Sequence, residues 1–173
     1  MHSSRFSVRN MVYCAITAAL MAVCAWLSVP LGTVNFTMQT FGVFFALGLL
    51  GGRRGTVAIL VYLVLGAVGL PVFSGFRGGA AALLDTTGGF LWGFLAAALV
   101  YWLLTCLGCG KLPAMAAGML VCYSCGVAWF LHIYGGEIWS VVTVCVLPYL
   151  VPDAAKIGLA LYLSGRLQKA VAG

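Results

Sequence analysis

Long apolar runs with almost no charged residues fill most of this sequence. Of its 173 residues, 64% are hydrophobic and 7% are charged, whereas soluble domains carry roughly 25% charged residues. A water-facing surface needs polar groups, but a lipid-facing surface has to avoid charge, because charges near the bilayer centre are costly. The pattern therefore predicts an all-α membrane protein and excludes a soluble globular domain.

The apolar runs divide into segments of the length that a membrane requires. A spanning helix needs about 20 apolar residues, so the chain has room for six spans within a single integral membrane domain over residues 1–173. The first apolar run is longer than the core of a signal peptide, and we expect no cleavable signal. Residues 138–150 are read as a short re-entrant or interfacial piece, and an outer loop is expected at about residues 70–89. The predicted spans cover residues 11–29, 36–50, 56–70, 90–107, 113–133 and 153–169.

The charged residues are segregated between the two ends of these segments. The three acidic residues fall outside or near the outer face, and by the positive-inside rule both termini lie in the cytoplasm. The net charge of +6 is therefore explained by topology, and a nucleic-acid-binding face is not expected. Seven of the nine basic residues fall on the predicted cytoplasmic side: Arg5, Arg9, Arg53, Arg54, Lys111, Arg166 and Lys169.

Cysteine pairs imitate a metal site. Cys106 and Cys109, followed by Cys122 and Cys125, have the spacing of a four-thiolate zinc site. The second pair lies within an apolar stretch and the first straddles the end of a span, where small thiols pack well between helices. We therefore predict no metal site and no cofactor.

Two charged residues at membrane depth are the strongest candidates for chemistry. Asp153 and Lys156 are three residues apart and share one face of a helix. In one interpretation Asp153, after Pro152, lies at the N-terminus of the last helix, where a carboxylate is stabilised, and pairs with Lys156. In the other, the pair faces an interior cavity on a substrate path, as charged residues within spans usually do. Both interpretations can hold together.

The glycine-rich residues 69–79 suggest a cover for such a cavity. Glycines permit unusual backbone conformations, and Phe73 and Phe76 among them could form an apolar lid, although an ordinary flexible loop has the same composition. Arg77 could bind a carboxylate through its planar fork or anchor a lipid headgroup.

The first span carries a strip of small residues. Ala15 and Ala19, like Ala18 and Ala22, have the spacing that lets another helix approach closely, and that helix could belong to a partner or to this chain. The sequence contains no phosphate-binding GxxxxGK[ST] loop and no recognisable catalytic constellation. We predict that the chain is not an enzyme and that any energy for transport comes from other subunits or an ion gradient.

Four motifs carry a family resemblance. They are NFTMQTF (35–41), GLPVFSGFRGG (69–79), TGGFLWGF (87–94) and Pro152-Asp153 through Lys156. Together they resemble the BioY family, the biotin-specific S components of energy-coupling-factor (ECF) transporters. Two departures stand out: Asp85-Thr86 replaces the family's usual Gly-Pro, and a glycine between Pro152 and Asp153 is missing. The first adds a negative charge near the entrance for an anionic ligand, so ligand affinity or choice can differ.

The resemblance implies a six-helix S-component fold in a bacterial cell membrane, with biotin as ligand and with a transmembrane coupling (T) subunit and two ABC ATPases as partners. It places Asp153 and Lys156 on the ureido head, with the loop closing above. An S component for another small vitamin and a stand-alone facilitator or ion-coupled carrier remain alternatives. The implied ligand-binding residues, with Arg77 added for the valerate carboxylate, are Asp153, Lys156, Arg77, Ser74, Phe73, Phe76, Gln39, Thr87, Tyr149 and Trp139. The implied partner interface is Ala15, Ala18, Ala19 and Ala22.

Overall fold

The computed structural model describes residues 8–30 and 35–172, and most of these residues are helical. Arg5 and residues 31–34, which lie between the first two predicted spans, are outside the described residues. Two short strands, β1 (Ser28–Pro30) and β2 (Asn35–Thr37), follow the first helix. The helices are α1 (Val8–Trp26), α2 (Gln39–Val68), α3 (Ala80–Leu84), α4 (Gly88–Cys106), α5 (Lys111–Tyr134), α6 (Ile138–Cys145) and α7 (Leu147–Ala172).

Several helices are long and apolar enough to cross a membrane. In the described part of the chain α1, α2, α4 and α5 meet this condition singly, and α6 with α7 meets it as a pair bent by 43°. The chain is therefore a multi-pass membrane protein.

Helix α2 reverses direction at Gly51. This residue has φ of +78° inside the helix, a conformation that favours glycine. In a straight helix Leu47 and Gly55 would be about 12 Å apart, since each residue adds 1.5 Å. Instead, a Cβ placed on Gly55 would lie 2.9 Å from the Leu47 Cα. The arms 39–50 and 52–68 therefore pack against each other, and the reversal falls at the predicted boundary between the second and third spans.

The carbonyl groups freed at this reversal are bound by side chains from other helices. A helix end leaves carbonyls without partners inside the helix. The Gln168 amide donates to the oxygens of Gly48 at 2.8 Å and Leu49 at 2.9 Å, and Lys111 Nζ donates to the Gly48 oxygen at 3.4 Å. Because Lys111 begins α5 and Gln168 belongs to α7, these contacts join three helices at one end of the molecule.

The fold is mostly helical, as predicted, and it also contains a short hairpin that the sequence does not predict. Strands β1 and β2 pair antiparallel, with Ser28 opposite Thr37 and Val29 opposite Phe36. They occupy the end of the predicted first span and the start of the second. Three-residue strands are too short to show an alternating pattern, which explains why the sequence did not reveal them.

The last helix begins earlier than predicted. It starts at Leu147 and contains Pro152, with the break from α6 at Val146. A proline inside a helix lacks an N–H donor and its ring crowds the carbonyl four residues earlier, yet α7 continues through Pro152 close to its start. Asp153 is therefore the seventh residue of α7, so the prediction that it lies at the helix N-terminus is wrong.

The centre of the fold lies where α2 meets α1, α4 and α7. Phe44, Leu47 and Ile59 of α2 are fully buried, together with Ala97 of α4 and Met115 of α5. These contacts hold the helices that surround the candidate site.

Candidate ligand-binding site

Two residues of α7, Asp153 and Lys156, form a buried ion pair that faces the neighbouring elements. Lys156 Nζ donates to Asp153 Oδ1 at 2.8 Å, and each of these side chains is 6% exposed. The Tyr123 hydroxyl of α5 donates to the other carboxylate oxygen, Oδ2, at 2.7 Å. A buried carboxylate needs such donors because an unpaired buried charge is costly.

Strand β2 completes the surroundings of Lys156. The ammonium group donates to the Thr37 carbonyl oxygen at 2.6 Å and lies 4.0 Å from the centre of the Phe36 ring. Phe36 in turn stacks on Tyr149 of α7. The short hairpin thus contributes a hydrogen-bond acceptor and an aromatic face to the cation.

The glycine-rich loop is folded down onto α2. Phe73 is 2% exposed, and its ring lies so close to Gly66 that a Cβ there would be 2.0 Å from the ring carbon Cζ. Tyr62 meets Phe73 edge-on, donates to the Val72 oxygen at 3.0 Å and accepts from the Gln39 amide at 2.8 Å. The absence of a side chain at Gly66 therefore leaves the room in which the Phe73 ring packs against α2.

Three further contacts attach the loop to the hairpin and to α1. The Asn35 amide of β2 donates to the Ser74 hydroxyl at 3.2 Å. The Trp26 indole at the end of α1 donates to the Pro71 oxygen at 2.7 Å and stacks on Phe76 with ring centres 5.2 Å apart.

Arg77, near the end of the loop, contacts three other residues. Its guanidinium forms an ion pair with Asp85. It also donates to the Thr87 hydroxyl at 3.2 Å and to the backbone oxygen of Ser74 at 3.3 Å. Asp85 also accepts from the Thr86 backbone N–H at 2.8 Å. That N–H and the Arg77 guanidinium lower the pKa of the Asp85 carboxyl below its usual range.

One cavity brings these groups together. Its volume is about 80 Å³, and one water needs roughly 10–15 Å³ measured in this way, so several small groups fit inside. The polar lining includes Asp153, Lys156, Gln39 and Arg77, and the apolar lining includes Phe94. The lining therefore includes two charged sites, the Asp153–Lys156 pair and Arg77, together with apolar side chains and other polar groups.

The family comparison agrees with this arrangement. The family model described as the BioY family matches residues 1–173 of the chain. This chain belongs to the BioY family.

Relatives and a solved structure extend the BioY match. The chain is 39% identical over 169 residues to the biotin transporter BioY of Thermotoga maritima, covering 94% of this chain and 97% of the relative. It is 38% identical over 156 residues to a probable biotin transporter BioY of Pyrococcus horikoshii, covering 89% and 93%. It also resembles the crystal structure of the S-component for biotin from an ECF-type ABC transporter, with a TM-score of 0.87, 26% identity and coverage of 98% and 95%.

These findings confirm the resemblance to the BioY family that the four motifs predicted. The named relatives are transporters rather than enzymes.

Eight of the ten candidate ligand-binding residues line the cavity of this BioY family member. Two do not: Phe76 is 64% exposed and packs on Trp26, and Trp139 is 72% exposed. The eight that line it are Asp153, Lys156, Arg77, Ser74, Phe73, Gln39, Thr87 and Tyr149.

The alanine strip is split between two faces of α1. Ala18 and Ala22 are buried against the rest of the chain, at 3% and 6% exposure, so in this structure they offer no surface to a partner. Ala15 and Ala19 are exposed. The small-residue spacing therefore serves helix packing within the chain on one side and leaves an outward face on the other.

The sequence did not single out several residues that line or support the cavity. Asn35 and Thr37 lie within the quoted motif NFTMQTF, which was their only signal. Tyr123 and Met119 lie in an apolar span whose sequence gives no indication of which face turns inward. Their positions become evident only when α5 is placed beside α7.

Proposed function

We propose that this chain is the membrane subunit that captures biotin for uptake by an ECF transporter. The observation that carries the proposal is the buried Asp153–Lys156 pair, which lines a cavity beneath the glycine-rich loop. Its BioY membership and the biotin transporters among its relatives support the choice of ligand.

The hydrogen-bonding capacity of the pair suits a ureido ring, which offers two N–H donors and one carbonyl acceptor. An ammonium group has three donors, and a carboxylate has about four acceptor sites. Lys156 uses two donors, on Asp153 and Thr37, and Asp153 accepts from Lys156 and Tyr123. One donor and two acceptor sites therefore remain, which is the complement of the ureido group.

The rest of the ligand would contact the apolar lining. A thioether ring and an alkyl chain need a wall that excludes water, and Phe73, Phe94, Leu91 and Met119 are lining residues of this kind. Arg77 would meet the valerate end, with Ser74, Gln39, Thr87 and Tyr149 contributing the other contacts.

The proposed topology has six spans with both termini in the cytoplasm of a bacterial cell and the loop outside. The reversal of α2 at Gly51 supports dividing that helix into two spans, which brings the five candidate crossings to six. Arg53 and Arg54 follow the reversal at Gly51, and Lys111 contacts Gly48 beside it, which supports a cytoplasmic location for this end by the positive-inside rule.

The proposed partners are a transmembrane coupling subunit and two ABC ATPases, which would supply the energy. The outward face of α1 with Ala15 and Ala19 is the proposed docking surface, since small residues allow close helix approach in lipid. Uptake into liposomes tests the coupling: dependence on added coupling and ATPase subunits supports the proposal, and uptake by the chain alone would favour an autonomous carrier.

Binding of labelled biotin to the detergent-purified chain tests the site. Asp153→Asn and Lys156→Ala should each weaken binding by about 30-fold or more, since truncating a buried charge partner costs 2–5 kcal/mol. Glu137→Gln and the exposed Lys169→Ala are matched controls outside the cavity and should bind normally. Unchanged affinity in both site variants would remove the proposed site.

A second ligand class is favoured by one observation, the ion pair between Arg77 and Asp85. Because Asp85 places a negative charge beside the proposed carboxylate contact, an S component for another small vitamin is the alternative. A competition panel of vitamins against labelled ligand decides: failure of biotin to compete would select the alternative.

A further inference from the structure

Arg77 lines the outer part of the cavity at a fixed position. Its backbone oxygen accepts from the Phe73 N–H at 3.0 Å, so the two ends of the short turn 74–76 are held together. The side chain is 42% exposed and reaches from the loop to the start of α4. It is thus a cavity cation that also faces water.

Asp85 has fixed surroundings too. It ends the short helix α3, and its Oδ1 accepts from the backbone N–H of Thr86 at 2.8 Å and the hydroxyl of Thr86 at 3.2 Å. Its other oxygen, Oδ2, contacts Arg77. The carboxylate is therefore oriented toward Arg77 by contacts that do not involve Arg77.

This pair leaves little of the guanidinium for another anion. A carboxylate binds a guanidinium best through two parallel N–H donors. One amino nitrogen of Arg77 is engaged by Asp85 and the other by Thr87. The Ser74 backbone oxygen engages a third of the five N–H donors, so a ligand carboxylate would meet the one remaining donor on each terminal nitrogen, beside the Asp85 charge that repels it.

We propose that Asp85 is a specificity-determining residue: by neutralising Arg77 it lets the cavity accept ligands with an uncharged tail nearly as well as ligands with a carboxylate tail. This inference rests on the proposed function, in which Asp153 and Lys156 hold the ring of the ligand. It adds that the cavity selects only weakly for the charge of the ligand tail, because Asp85 neutralises Arg77.

Biotin and biotin amide test the proposal, because they differ at the tail and share the ring. The unchanged chain should bind the two within about threefold of each other. Asp85→Asn keeps an oxygen for the Thr86 N–H and removes the charge, so it should raise the preference for biotin by about three- to fivefold, the upper range for exposed ion pairs. The rise should come from tighter biotin binding, with amide binding unchanged.

Three comparisons make the result decisive. Asp85→Ser serves as a second variant if the first folds poorly, and Glu137→Gln removes a negative charge from another loop and should leave the preference unchanged. In an Arg77→Gln background Asp85→Asn should have a clearly smaller effect on the preference. An unchanged preference in Asp85→Asn, or an equal rise with and without Arg77, would overturn the role of the pair. Loss of binding of both compounds to the unchanged chain would instead overturn the proposed function.

Discussion

Breaking the Asp153–Lys156 pair should separate stability from ligand binding. Asp153→Asn removes the charge that faces Lys156, whose side chain is 6% exposed. Breaking a buried pair by removing one partner costs about 3–5 kcal/mol, because the remaining charge is buried without compensation. Here Lys156 keeps the Thr37 oxygen and the face of Phe36, so we expect the lower end, about 3 kcal/mol.

Removing both charges should restore most of that loss. The double variant Asp153→Asn with Lys156→Met leaves no uncompensated buried charge, so it should be more stable than Asp153→Asn alone. Ligand binding should stay lost in the double variant, since neither the carboxylate nor the ammonium remains for the ureido group.

The assay combines thermal unfolding of the detergent-purified chain with a biotin-binding isotherm for each variant. One kcal/mol corresponds to about 2–4 °C for a chain of this size, so Asp153→Asn should lower the midpoint by about 6–12 °C. The double variant should recover at least half of this fall. If the double variant were no more stable than the single one, the two charges would not be energetically coupled. If it bound biotin normally, the charges would not be the binding groups.

Three other changes test the surroundings of the site. Tyr123→Phe removes the hydroxyl that donates to Asp153 and should destabilise the chain by about 1.5–3 kcal/mol, the range for hydrogen bonds to charged groups. Its control is Tyr134→Phe, at an exposed position. Equal melting midpoints for the two variants would contradict the role of Tyr123. Gly66→Ala places a Cβ on the Phe73 ring, which should push the loop outward and weaken biotin binding about tenfold or more, a loss of about 1.4 kcal/mol. Its control is Gly158→Ala, whose Cβ meets nothing within 4 Å and which should bind normally. Normal binding by both variants would show that the loop does not need this packing. The lowered pKa of Asp85 means that its contribution to stability is present above the unfolded pKa of about 3.9 and is lost as pH falls through the lower folded value. The difference in melting midpoint between the chain and Asp85→Asn should therefore shrink between pH 5 and pH 3, and a constant difference would argue against the assigned shift.

Much of the helical framework was accessible from the sequence because lipid imposes a length and a polarity on each span. The sequence predicts a boundary between the second and third spans near Arg53 and Arg54, and the structure has its break beside them, at Gly51. Asp153 and Lys156 stood out because ionisable residues are rare in such segments.

The remaining features depend on contacts between distant parts of the chain. In the sequence Pro152 indicates a helix boundary, yet α7 begins at Leu147 and continues through it. Tyr123 was not predicted because its role follows from a partner 30 residues away. Ala18 and Ala22 were indistinguishable from Ala15 and Ala19 by spacing, and only the position of α2 decides which pair is covered.

The contacts of Trp26 with Pro71 and Phe76 couple movements of α1 to the glycine-rich loop that covers the cavity. The helix has 19 residues and is therefore about 28 Å long at 1.5 Å per residue. A tilt of only 5° about its far end would displace its last residue by about 2 Å, which exceeds the shift of less than about 1 Å that breaks a hydrogen bond. A partner that binds α1 from the lipid side would thus also move the glycine-rich loop, without any contact with the bound molecule.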